Sequence, residues 1–184
     1  MTKLILTPAS VEFAADLYQF ELNNRAFFES RINARPDSYY SLDSVTKALQ
    51  VAENEAKLDV GYQFFVCDTA LNIVGRINLT RIRRAHFHSA ELGYRIAELE
   101  CGKGYASAAI GEVLDKAFLE LDFKRIEAAV SVSNLASIRA LQRNGFSQYG
   151  HAKRSFELNG VWYDVLHFEA HSVSETTGTS RLDI

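Results

Sequence analysis

The stretch ECGKGYASAAIGEVLDKAF, residues 100–118, places two glycines around a lysine, directly before an alanine-rich amphipathic run. Glycine costs conformational entropy unless the backbone needs its freedom. The N-terminus of a helix leaves its first N–H groups unpaired and carries a partial positive charge. Gly102 and Gly104 therefore predict one of two things: an anion site made of backbone amides, or a plain turn into a helix.

Two familiar phosphate loops do not fit this stretch. A Walker loop needs a lysine followed by Ser or Thr after its last glycine, whereas Lys103 precedes Gly104. The dinucleotide fingerprint needs a third glycine at position 107, and Ser107 stands there. Neither of these two loop types therefore describes the stretch.

The segments around this loop alternate between strand and helix patterns. Apolar residues at helical spacing predict helices over 10–22, 41–58, 105–121 and 134–145, the last ended by Gly145. Strand patterns cover 4–7, 62–68, 72–82, 89–96, 125–133 and a hairpin turning at Asn159-Gly160. An aromatic-rich connection, FFESRINARPDSYY, separates the first two helices. We predict an α/β (α+β) fold, with a mixed, mostly antiparallel central sheet flanked by helices.

Length and composition limit the classes of function. The 184 residues suit one domain, which we place at 1–170, followed by a flexible tail at 171–184. A net charge of -3 argues against direct nucleic-acid binding. The N-terminus is too short in apolar residues for a signal or a membrane span. Two cysteines and no ligand cluster indicate no metal site and a cytoplasmic setting.

The loop and a later segment together resemble the GNAT superfamily of N-acetyltransferases. The acetyl-CoA signature of that superfamily, Q/R-x-x-G-x-G/A at a helix start, is similar to CGKGYA here, with Cys101 where Gln or Arg is usual. The later signature is an Asn, a short helix and a Gly-Phe end, which NLASIRALQRNGF matches. The branch most similar is that of ribosomal-protein N-terminal acetyltransferases, judged on HFHSAELGYRI, GKGYAS and GHAKRSFELNGVWYDV.

The resemblance implies acetyl transfer from acetyl-CoA, as co-substrate, to a primary amine. The pantetheine arm would lie beside the strand end and contact Asn134, although Asn134 is also a good helix N-cap. The diphosphate would lie on the glycine loop. An oxyanion would meet a backbone N–H near Ile96. The implied cofactor-binding residues are Tyr94, Arg95, Ile96, Gly102, Lys103, Gly104, Tyr105, Ala106, Ser107 and Asn134.

Two residues are candidates for proton transfer. Many relatives place a tyrosine seven positions after the motif Asn, but Leu141 stands there and cannot donate a proton. Ser137 lies on the same helix face as Asn134 and resembles the serine that this branch offers as a general acid, or else it is a capping serine. Glu91 is the first candidate for the base and His88 a weaker one, while a solvated strand charge explains Glu91 equally simply.

The acceptor is expected to be the N-terminal α-amine of a protein, such as a ribosomal protein. An α-amine has a pKa of about 7.7–8.0 and a lysine one of ~10.4, so removing the proton from lysine costs ~3 kcal/mol more. The alternatives are a small amine, such as a polyamine, amino acid or antibiotic, and a non-catalytic CoA-binding module.

Several side chains near the presumed cleft carry open interpretations. The basic cluster Arg81, Arg83 and Arg84 is either a solvated loop or an anion contact. The aromatic side chains of residues 27–40 either wall the acceptor site or pack in the core. The chain is expected to be a monomer or a homodimer.

Overall fold

The computed structural model describes residues 2–173. Its helices are α1 (Ala14–Asn23), α2 (Arg25–Glu29), α3 (Leu42–Lys57), α4 (Tyr105–Asp115) and α5 (Leu135–Arg143). Its strands are β1 (Ile5–Pro8), β2 (Tyr62–Cys67), β3 (Ile73–Arg83), β4 (Ser89–Ile96), β5 (Arg125–Ser131), β6 (Ser147–Leu158) and β7 (Val161–His171). A π-helical turn, Lys116–Glu120, extends α4.

Polar caps explain where the helices begin. The Ser41 hydroxyl accepts a hydrogen bond from the Ser44 N–H at 3.2 Å, which satisfies one of the unpaired amides of α3. Asn134 caps α5 in the same way, through the Ser137 N–H at 3.1 Å. Ser10 caps the short 3-10 turn that leads into α1. The α1, α2 and α4 helices begin without a side-chain cap, and the N-cap of α4 is Gly104.

All seven strands form one sheet in the order β1-β2-β3-β4-β5-β7-β6. Every neighbouring pair is antiparallel except β4 and β5, which run parallel and are joined by the crossover helix α4. The β6–β7 hairpin turns at Asn159 and Gly160, both of which have positive φ angles, as a type I′ turn requires. The predicted α/β class, with a mostly antiparallel sheet and flanking helices, is confirmed.

The two faces of the sheet carry separate hydrophobic cores. One core packs α4 and α5 on the sheet through residues such as Ile110, Val113 and Leu141. The other packs α1 and α3 through Leu17, Leu49 and residues of β2. Because side chains alternate along a strand, β2 contributes Phe64 and Val66 to the first core and Phe65 and Cys67 to the second.

The connection of residues 27–40 is more structured than the sequence predicts. Helix α2 begins before it and extends into it, and a 3-10 turn, Asp37–Tyr39, follows. Tertiary packing stabilises this short helix, since the Phe28 ring lies 5.6 Å from the Phe20 ring. An ion pair between Arg25 Nε and Glu29 Oε1, at 2.8 Å, spans one helical turn.

The predicted tail, 171–184, lies mostly outside the described residues, which end at Val173. Between Thr2 and Val173, no helix combines the length and the apolar character needed to cross a bilayer.

Candidate active site

The parallel strands β4 and β5 separate part-way along the sheet. They are paired from Ser89–Arg125 to Leu92–Ala128, and the pairing ends there. From Gly93 to Ile96 the edge of β4 that faces β5 therefore has no strand partner, although its other edge stays paired with β3 as far as Ile96. An unpaired strand edge offers backbone N–H and C=O groups to an extended ligand.

The glycine loop lies between the end of β4 and the start of α4. Gly102 and Gly104 have φ angles of +80° and +90°, which side chains other than glycine adopt only under strain. A Cβ on Gly102 would meet no atom within 4 Å, so the outer side of this turn is open to a ligand. Because α4 begins without a side-chain cap, its first N–H groups face this open turn.

Lys103 and Thr2 border the same loop. The Lys103 ammonium forms an ion pair with Glu100 at 2.9 Å, and the Thr2 hydroxyl donates a hydrogen bond to the Lys103 carbonyl at 2.6 Å. A Cβ on Gly104 would lie 2.7 Å from the Thr2 hydroxyl. Thr2 therefore lies close to one side of Gly104 and leaves no room there for a side chain at this position.

Ser137 and Tyr94 are brought together beside the point where the strands separate. The hydroxyl of Tyr94 is buried and makes no hydrogen bond of normal geometry to residues 2–173. Burial raises the pKa of Tyr94, and the neighbouring Ser137 hydroxyl opposes that effect. The pair lies on the α4/α5 face, where Leu141 is buried in the core and has no polar role.

Glu91 lies on the opposite face of the sheet, one residue before the last β4–β5 pair. Its carboxylate accepts a hydrogen bond from Arg81 Nη1 at 2.8 Å, and its side chain is 32% exposed. It lines a cavity of about 500 Å³ together with Glu127, Tyr149 and His167. His88 is elsewhere, with its Nδ1 3.2 Å from the Asp122 carbonyl.

The basic cluster of Arg81, Arg83 and Arg84 lies at the end of β3 and is paired throughout. Arg83 meets Glu127 at 2.7 Å. Arg84 binds both oxygens of Asp59 at 2.6 Å, which lowers the pKa of that carboxyl. These arginines are thus paired with carboxylates of the chain itself, and Arg81 and Arg83 stay 79% and 49% exposed.

A second group of charges lies on the α1/α3 face, beneath the separated part of β4. Arg76 Nη1 and Arg95 Nη2 both donate to the same oxygen of Glu21, at 2.5 and 2.8 Å. The Glu21 side chain is 1% exposed, and those of Arg76 and Arg95 are 14% and 17% exposed. Burial lowers the pKa of Arg95 to about 10, and the charge of Arg76 adds to that effect.

The strand end therefore presents different chemistry to its two sides. Tyr94 packs against the α4/α5 core, where the glycine loop and Ser137 also lie. Arg95 and Glu91 project from the other face of the same strand. The unpaired edge of β4, the open glycine turn and the buried hydroxyl without a partner fit an extended ligand that ends in a diphosphate.

Comparison with known proteins agrees with this geometry. A family model described as "Acetyltransferase (GNAT) domain" matches residues 3–147. The probable N-acetyltransferase YjcK of Bacillus subtilis (strain 168) is 32% identical over 162 residues, which cover 88% of this chain and 90% of the relative.

Two solved structures show the same fold. Ribosomal-protein-S5-alanine acetyltransferase from Vibrio fischeri superposes with a TM-score of 0.90 at 22% identity, over 96% of this chain and 97% of that one. Spermidine N-acetyltransferase from Vibrio cholerae, solved with CoA and spermine, gives 0.76 at 26% identity, over 91% and 95%.

The chain therefore belongs to the GNAT acetyltransferase family. Within that family it is an acetyl-CoA-dependent N-acetyltransferase, an acyltransferase by class. In the part of the chain that the structure describes, no group of three or more His, Cys, Asp and Glu side chains could hold a metal ion.

Three features of the site were not foreseen from the sequence. Tyr94 was expected to lie beside the pantetheine arm and its hydroxyl was given no role, whereas that hydroxyl neighbours Ser137. The side chain of Arg95 was given no role, and neither Glu21 nor Arg76 was singled out. The strand pattern of ELGYRI could have indicated two of these roles. Side chains alternate along a strand, so Tyr94 and Arg95 must lie on opposite faces of the sheet and meet different partners.

Proposed function

We propose that the protein transfers the acetyl group of acetyl-CoA to the N-terminal α-amine of a protein, of which a ribosomal protein is one example, in the cytoplasm. The acetyl-pantetheine arm lies along the unpaired edge of β4, beside Tyr94, Arg95 and Ile96. The diphosphate lies on the backbone amides of residues 102–107, and Asn134 adds a side-chain contact. Acetyl-CoA supplies the activated acyl group as a thioester.

Glu91 and Ser137 divide the proton transfers between the two faces of the sheet in this proposal. The acceptor amine approaches from the face that carries Glu91, which takes the ammonium proton directly or through a water molecule. The amine nitrogen then attacks the thioester carbon, the N–C bond forms and the C–S bond breaks. Ser137, supported by Tyr94, donates a hydrogen bond to the departing sulfur. The nitrogen loses a second proton as the amide forms; the thiolate takes up one proton and leaves as the thiol of CoA, and the proton held by Glu91 passes to solvent.

The observation that carries the choice of acceptor is the Glu91–Arg81 ion pair. Carboxylates are weak bases as a class, and one oxygen of Glu91 already accepts a 2.8 Å hydrogen bond from Arg81. A weak base suits an α-amine with a pKa of about 7.7–8.0 rather than a lysine or polyamine nitrogen near ~10.4.

A panel of acceptors tests the proposal. Thiol release from acetyl-CoA is measured with a short peptide whose N-terminus is free, with the same peptide blocked at its N-terminus but carrying a lysine, and with spermidine. The proposal expects release with the free N-terminus at a rate at least about tenfold above the other two acceptors. Spermidine as the best acceptor would instead establish a polyamine acetyltransferase, the activity of the Vibrio cholerae relative.

A further inference from the structure

The charges around Glu21 do not balance. Two guanidinium groups share one carboxylate oxygen, Glu21 Oε1, and the remaining hydrogen bonds of Arg76 go to neutral groups: the amide oxygen of Gln63, at 2.8 Å, and the hydroxyl of Tyr39, at 3.5 Å. The site therefore holds one more positive than negative charge. Buried charges are costly unless they are paired, so an additional anion would stabilise this arrangement.

The neighbouring segment adds to the excess. Beyond Glu21, which is already counted, residues 22–40 contain two carboxylates, Glu29 and Asp37, and three arginines, Arg25, Arg31 and Arg35. Glu29 and Asp37 are both bound by Arg25. Arg35 makes no ion pair with residues 2–173, and its guanidinium stacks on the Tyr39 ring at 4.0 Å. Tyr39 joins Arg35 to the group around Glu21, because its hydroxyl accepts the 3.5 Å bond from Arg76 while its ring carries the Arg35 guanidinium.

The arginines around Glu21 lie next to the gap that opens where β4 and β5 separate. Arg95 lies in the part of β4 that β5 has left. The buried Asn24 side chain, between α1 and α2, accepts a hydrogen bond at 2.9 Å from the N–H of Glu98, just after β4 and before the glycine loop. This hydrogen bond holds the start of the segment 24–40 beside the end of β4. In the proposed function, the acceptor approaches from the same face.

We propose that Arg35, Arg76 and Arg95, arranged around Glu21, form an acceptor-recognition site that binds a carboxylate of the acceptor near the amine that is acetylated. The inference rests on the proposed function and narrows it to acceptors that are acidic close to their N-terminus. Guanidinium groups suit this task because they bind carboxylates through two parallel hydrogen bonds. Polyamines carry only positive charge and are disfavoured by the same group.

Calorimetric binding of short peptides to the CoA-loaded protein tests the inference without requiring turnover. Peptides with a free N-terminus carry one Glu at the second, third or fourth position, each with a Gln twin and a Lys twin. We expect at least one Glu peptide to bind on the order of tenfold more tightly than its Gln twin. The Lys twin and spermidine bind more weakly than the Gln peptide.

Variants identify the side chains responsible. The preference is the ratio of the dissociation constants of the Gln peptide and its Glu twin. Arg95→Gln is expected to reduce this ratio to about one. Arg35→Gln, which breaks no ion pair with residues 2–173, is expected to reduce it severalfold even if Arg95→Gln does not fold. Lys47→Gln removes one positive charge from the exposed side of α3 and leaves the preference unchanged.

The inference is overturned if Glu and Gln twins bind equally at all three positions, if no peptide binds, if Lys peptides or spermidine bind more tightly, or if both arginine variants keep the preference. Replacing CoA by acetyl-CoA with a bound peptide separates the two proposals. Tight, charge-selective binding without acetyl transfer would contradict the proposed function and leave the acidic specificity standing.

Discussion

The two faces of the sheet offer different parts of the chain for the recognition that we propose. On the α4/α5 face, the proposed anion site is main chain: two glycines with positive φ and a helix start without a side-chain cap. On the α1/α3 face, the polar groups are side chains. Glu21 is hydrogen-bonded there to Arg76 and Arg95, which follow it in the chain by 55 and 74 residues. A cofactor of fixed structure can be held by backbone, whereas acceptor choice depends on side chains that substitution can change.

The largest effect that sharpens this contrast is expected for Glu21→Gln. The substitution leaves two buried arginines without a carboxylate, so the free energy of unfolding is expected to fall by about 3–5 kcal/mol. Urea unfolding at neutral pH measures the loss. Glu29→Gln, on the adjacent helix, breaks a half-buried pair with Arg25 and is expected to cost under about 1 kcal/mol. Equal losses in the two variants would show that the α1/α3 face has no special electrostatic centre.

The next effect concerns the main-chain side. Gly104→Val places a side chain at a φ of +90° and 2.7 Å from the Thr2 hydroxyl, in the turn that would receive the diphosphate. The dissociation constant for acetyl-CoA is expected to rise on the order of 100-fold, or ~2.8 kcal/mol. Isothermal calorimetry measures it.

Gly160→Val is the matched control for that substitution. Gly160 has a φ of +78° in the β6–β7 hairpin, so the backbone strain is similar but far from the loop. The control is expected to lose stability without losing affinity for acetyl-CoA. Normal affinity in Gly104→Val would break the assignment of the loop.

A smaller effect is expected for Ser137→Ala. Loss of the hydrogen bond to the departing sulfur lowers kcat by roughly 10- to 30-fold, while the KM for acetyl-CoA changes little because the backbone contacts remain. Steady-state thiol release gives both values. Ser133→Ala, in the exposed loop before α5, serves as the control and keeps the original kcat. An unchanged kcat in Ser137→Ala would remove this hydroxyl from the mechanism.

The smallest effect distinguishes a hydroxyl kept for the ligand from one kept for the fold. Tyr94→Phe removes a buried hydroxyl that makes no hydrogen bond of normal geometry to residues 2–173, and it is expected to raise the unfolding free energy by about 1 kcal/mol. Tyr62→Phe removes a hydroxyl that donates to Asp59 at 2.8 Å and is expected to lower it by about 1 kcal/mol. Thermal or urea unfolding measures the free energy of unfolding of both variants. An equal loss of stability in the two variants would contradict the distinction between the two hydroxyls.

The difference between the faces also explains what the sequence could reveal. The glycine loop, the Asn134 cap and the Asn159-Gly160 turn are local patterns, and each was predicted because neighbouring residues decide the backbone conformation. Helix α2 was not predicted, since five residues form a helix only when packing against Phe20 supports them.

Contacts between side chains that are far apart in the sequence could not be predicted from local patterns. The shared Glu21 oxygen depends on the β3–β4 register, which pairs Arg76 with Arg95, and on how α1 crosses the sheet. The Arg81–Glu91 pair likewise needs that register, so the sequence indicated a basic cluster without its partners. Periodicity places a residue on a face of a strand but does not say which distant residue meets it there.

The central claim is that main-chain amides at the start of α4 hold the diphosphate of acetyl-CoA. A crystal structure of the acetyl-CoA complex tests it most directly. We expect diphosphate oxygens within about 2.7–3.2 Å of backbone nitrogens in residues 102–107, with the acetyl-pantetheine arm along the unpaired edge of β4. A nucleotide bound elsewhere, with those amides occupied by side chains of the protein, would contradict the claim.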